Sequence, residues 1–139
     1  MIHSRYWLIP VAAALMLGVA LADPRVPDNQ VAGFMRLKLG HSQKVLEGLV
    51  LEDFSMIEKQ SQALSLLSQD ANWQVLQTPE YLQLSVEFRR STDALSRAAQ
   101  EKNLDKATLA YLGMTMKCVS CHEHVRDVRT AQVDRLRFR

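Results

Sequence analysis

Apolar residues return at intervals of three and four along most of the chain, the period of a helix buried on one face. From Asp28 or Asn29, either of which can serve as N-cap, a stripe of Val31, Met35, Leu39, Ser42, Leu46 and Leu49 predicts a first helix to about Leu51. Asp53 is a good N-cap for a second, in which Phe54, Ile57, Leu64 and Leu67 keep helical spacing to about Gln69. The stretch DANWQVLQTPE breaks the pattern, and Thr78-Pro79 then reads as an N-cap followed by proline in the first helical position. Tyr81, Leu84, Phe88, Leu95 and Ala99 form the face of a third helix that runs to about Lys102. After KNLD, with Asp105 as the expected cap, a fourth helix carries Tyr111, Met114, Cys118, Cys121, His122 and Val125 and ends near Thr130. Short, longer and short connections between four amphipathic helices predict an all-α chain, an antiparallel up-down-up-down four-helix bundle.

Only the N-terminus departs from this pattern. MIHSRYW, with Arg5, precedes the apolar run LIPVAAALMLGVAL, and Ala20-Leu21-Ala22 fits a small-x-small cleavage site. Residues 1–22 therefore read as a secretory signal, leaving 23–139 as one domain in a periplasmic or otherwise exported protein. The apolar run falls short of the roughly 20 residues a membrane span needs. An uncleaved anchor is the competing reading.

Charge changes the picture little. Seventeen Lys and Arg face fifteen Asp and Glu, so nothing points to nucleic acid. Arg126, Arg129, Arg135, Arg137 and Arg139 crowd the C-terminus against Asp127 and Asp134. They suit either a solvated helix end, whose dipole favours cations, or a docking patch for an acidic partner.

The candidate chemistry lies in KCVSCHEH, residues 117–124, which holds both cysteines of the chain. At about 100° per residue, Cys118, Cys121 and His122 occupy about a third of the helix circumference, on the stripe of Tyr111, Met114 and Val125. They are expected to point into the bundle interior. Two thiols and an adjacent imidazole at this spacing can bond the two vinyl groups of a haem and bind its iron. A disulfide is a second reading, although Cys-x-x-Cys inside a continuous helix is strained as a structural bridge. A zinc site using His122 or His124 with His41 is a third, but it lacks the second close ligand pair usual for such sites.

A Cys-x-x-Cys-His motif near the end of a four-helix chain resembles the class II c-type cytochromes, meaning cytochrome c prime and its low-spin relatives. The likeness extends over residues 23–139: an N-terminal helix with a distal-face residue, Trp73 in the loop before the third helix, the EKNLDKATLAY turn, and CVSCH. It implies one covalent haem c, bound through Cys118 and Cys121 with His122 as proximal ligand, and a role in electron transport between redox partner proteins, with homodimers common. It also implies Arg126 near the proximal haem face and Trp73 near a haem edge or propionate. Val125 departs from the family, which usually has an aromatic residue there. From the residues alone, Arg126 is one turn beyond His122 or simply a surface arginine, and Trp73 could equally close one end of the core with its N–H bonded to backbone.

The face of the iron opposite His122 decides between functions. Met114 shares the face of His122, Met116 points away, and His124 lies about 160° from His122 and is expected in solvent. Helix 1 is the expected distal wall, with Met35 near the centre of its stripe, Lys38 about 60° from it and His41 about 120° from it. A methionine at helical spacing also serves simply to fill a core. The resemblance places Met35 at the distal position, where low-spin relatives carry methionine as iron ligand and five-coordinate ones carry leucine or phenylalanine. Lys38 or His41 as ligand after a helix rotation, and an open pocket for nitric oxide or carbon monoxide walled by Met35 and Leu39, are the alternatives. A peroxidase finds no distal His-Arg pair, Arg36 standing about 100° from Met35.

Overall fold

A computed structural model describes residues 28–70, 73 and 75–137; the expected signal segment and Arg139 lie outside them. Within them are four helices, α1 (Asp28–Val50), α2 (Phe54–Leu67), α3 (Pro79–Gln100) and α4 (Leu104–Arg137), and no strand. None is long and apolar enough to cross a membrane.

Caps set most boundaries. The Asp53 carboxylate accepts the Met56 N–H at 2.9 Å, and the Thr78 hydroxyl accepts that of Tyr81 at 3.2 Å ahead of Pro79. The fourth helix corrects the sequence reading at both ends. Its cap is Asn103, whose side-chain oxygen accepts the Lys106 N–H at 2.9 Å, while Asp105 lies in the first turn, where its charge meets the positive end of the helix. No glycine or proline follows Thr130, so α4 continues to Arg137.

The α1–α2 and α3–α4 turns share one design. Glu52 and Lys102 adopt φ of 55° and 52°, the left-handed conformation that ends a helix. Asp53 N–H then reaches the Gly48 carbonyl at 2.8 Å, and Asn103 N–H reaches that of Ala98 at 3.0 Å. The residue that closes one helix therefore caps the next. At the first turn α1 and α2 press together, and a Cβ on Gly48 would come within 2.9 Å of Ile57 Cγ1.

Each helix packs on its neighbour in sequence, while α1 and α4 touch only sparsely. The core joins Val45, Leu49, Ile57, Leu64, Trp73, Tyr81, Phe88, Leu95 and Met114. Buried hydroxyls bond to carbonyls three or four residues back, Ser61 to Ile57 and Ser85 to Tyr81, both at 2.8 Å, so small polar residues pack without an unpaired group. The buried line on α1 runs through Lys38, Val45 and Leu49, with Phe34 packed against it, and not through the expected Leu39 and Leu46, which are 57% and 48% exposed. Met35, Leu39 and Ser42 of the expected stripe instead line a cleft beside this core.

Candidate functional site

Because α1 and α4 stand apart, a cavity of about 460 Å³ opens between them, within the usual range of small-molecule and cofactor sites. From α1 it is lined by Met35, Lys38, Leu39 and Ser42, and from α4 by Tyr111, Met114, Thr115, Cys118 and His122. Leu64 and Phe88 form its floor. Apolar walls and a few converging polar groups make a site for a large, mainly apolar ligand.

The predicted residues distribute themselves around this cleft. Cys118, half-buried, and His122 face it, whereas Cys121, 9% exposed, joins the hydrophobic core beside it. The expectation that all three enter the interior is thus met by the cysteines only, since His122 is exposed at the cleft wall. Successive side chains on α4 fan out by about 100°, so Cys121 and His122 part to either side of Cys118. Neither cysteine is bridged, and among the described residues no three His, Cys, Asp or Glu side chains gather into a metal cage.

Met35 lines the facing wall on α1, half-buried. His41 turns away, its Nδ1 lying 2.7 Å from Gln60 Oε1 on α2, and Lys38 enters the cleft instead. His124, expected in solvent, is partly buried: its Nε2 lies 3.2 Å from the Thr78 hydroxyl and its Nδ1 3.4 Å from Glu80. It ties α4 to the start of α3. Trp73 is buried, and its N–H donates to the Ser85 hydroxyl at 2.7 Å, not to backbone. Its ring packs 5.1 Å from Phe88 and edge-on to Phe34 at 6.3 Å, while Tyr81 O–H donates to its carbonyl. Arg126 is exposed, yet its charge is felt at His122.

Burial dominates the acid–base chemistry. It pushes both thiols above their ordinary range, opposed by the charge of Lys38. It pushes His122 down, aided by Lys38 and Arg126, which favours the neutral imidazole able to donate a lone pair to a metal. The residue that sequence reasoning undervalued is Lys38, held only as a fallback ligand. Its signal was the four-residue step from Phe34 to Lys38, which continues the buried face despite the charge.

No protein-family profile, curated protein or solved structure matches the chain.

Proposed function

We propose that this chain is an exported monohaem c-type cytochrome that carries electrons between redox partner proteins, with one covalent haem c. The observation that carries the reading is the convergence on one apolar cleft of Cys118 and His122 of a Cys-x-x-Cys-His motif on α4, with Cys121 unbridged in the core beside them, and of Met35 on the facing helix. The donor set and the lining suit a haem: two thiols for its vinyl groups, an imidazole on one wall and a thioether on the other.

When bound, haem supplies a one-electron iron couple. The chain's part is to present His122 as a neutral proximal ligand, to anchor the group through Cys118 and Cys121, and to offer Met35 from α1 as distal ligand. Ligands on two different helices fix the separation of the walls. A thioether is a soft donor that raises the potential relative to two histidines. Tyr111, Leu39 and Met114 limit water at the ring, Trp73 supports the floor through Phe88, and Arg126 adds positive charge on the side of His122. No catalysis on a substrate is required.

The up-down-up-down arrangement belongs to this reading, and the polar bridges support it. Gln100 and Asp93 of α3 meet Glu58 and Ser65 of α2, so numbering rises on one helix as it falls on the other. Glu87 and Thr78 meet Lys117 and His124 in the same sense between α3 and α4. The small-x-small site after the N-terminal apolar run supports export to the periplasm.

Absorption spectra of the haem-loaded protein test the ligation. A ferric low-spin spectrum with the weak near-infrared band of thioether ligation, lost in Met35→Ala, is expected. High-spin spectra in both oxidation states that shift with carbon monoxide would instead make Met35 the wall of a gas-binding pocket.

A further inference from the structure

Lys38 has no part in the attachment chemistry, yet among the described residues it is the one charged side chain in the buried class, 7% exposed. Its ammonium lies 3.9 Å from the ring centroid of Trp73 and 4.0 Å from that of Phe88. No carboxylate or hydrogen-bond acceptor among the described residues pairs with it. The two rings provide the seat, and the seat is braced: Trp73 is held by its N–H bond to Ser85 and by Tyr81 at its carbonyl.

Holding an ammonium at a largely apolar wall without a counter-charge is unfavourable, and the two aromatic faces offset part of that cost. A methionine would fill the same space without that cost. What distinguishes lysine here is its charge, and the charge acts on the cleft. Lys38 lines the same cavity as Met35, Cys118 and His122.

We propose that Lys38 is a potential-setting residue, a cation held against Trp73 and Phe88 that biases a haem attached at Cys118, Cys121 and His122 toward its ferrous state. This rests on the haem reading above. One electron enters from a redox partner protein and lowers the charge of the iron by one. No bond forms or breaks, and a nearby fixed positive charge stabilises the state with the extra electron.

The test is a redox titration of the haem-loaded full chain, followed by absorption, for the wild type, Lys38→Met, Lys38→Gln and Lys38→Arg. At one fixed applied potential the ferric-to-ferrous ratio is expected to rise about tenfold in Lys38→Met and Lys38→Gln, a fall of about 59 mV for a one-electron couple. Lys38→Arg, which keeps the charge, should stay within about twofold of the wild type. Lys38→Gln keeps a polar end, so the test does not depend on the apolar variant folding. Unchanged potentials in the neutral variants overturn the proposal. So does a change of spin state in them, which would make the amine an iron ligand. A wild-type chain whose mass shows no covalent haem overturns the haem reading itself, and that result is distinct from either outcome.

Discussion

Tyr81 shows how single residues secure the cleft floor. Its hydroxyl donates to the carbonyl of Trp73, whose ring supports Phe88. Tyr81→Phe removes one of two hydrogen bonds at that carbonyl, which also accepts from the Val75 N–H at 2.9 Å, and is expected to lower stability by about 0.5–1.5 kcal/mol in denaturant titration. Burial also pushes the Tyr81 hydroxyl well above its ordinary pKa of 10. Because the folded pKa is the higher one, its contribution is complete below pH 10 and declines above it, as the unfolded chain ionises first. Tyr81→Phe should flatten that alkaline decline. Glu87 has the opposite sign: a hydrogen bond from Lys117, 2.7 Å away, is the main cause holding its carboxyl below the usual range. Its contribution is therefore present at neutral pH and lost as pH falls through the carboxylate range, and Glu87→Gln should remove part of the acid-side slope. At this scale the Cys-x-x-Cys-His motif was plain in the sequence because its spacing is local. His124 was misplaced in solvent, and the aromatic seat of Lys38 was not foreseen, because their partners, Thr78 for one and Trp73 and Phe88 for the other, come from distant parts of the chain.

The helices owe their boundaries to two turns of one kind, and both invite a test. Lys102 pays a left-handed backbone cost of about 1–2 kcal/mol that glycine avoids, against a loss of about 0.4–1 kcal/mol from the freer unfolded chain. Lys102→Gly is thus expected to stabilise the protein by up to about 1 kcal/mol and to raise its melting temperature. Gly48→Ala should do the reverse, costing about 1–3 kcal/mol in the denaturant midpoint, because its methyl meets Ile57 where α1 and α2 are closest. Asp53 and Thr78 were legible as caps because each stands directly before a clean apolar period. Asn103 was passed over for Asp105, two residues on, because both are cap formers and only the backbone decides which carbonyls precede them. The true end of α4 was equally hidden, since an exposed helix of good formers carries no apolar period to mark its last turn.

Among the described residues the helices pair tightly along the sequence, while α1 and α4 meet only loosely, and the candidate site opens between those two. Four helices could be read from the sequence because their apolar periods are local. The gap between α1 and α4 could not, because it depends on which face each helix turns toward a partner distant in sequence. The stripe expected as the distal wall does supply Met35, Leu39 and Ser42 to the cleft, while Leu46 lies on an exposed flank of α1. The proposed function requires at this scale that the cleft hold one covalent group through both thiols. Mass spectrometry of the denatured protein, produced by an exporting cell that matures c-type cytochromes, tests this most directly. The expected result is a chain beginning near Asp23 and heavier by one haem, with the added mass absent in the Cys118→Ala/Cys121→Ala double variant. A folded chain without the added mass, or one that keeps it in the double variant, would contradict covalent haem attachment at Cys118 and Cys121.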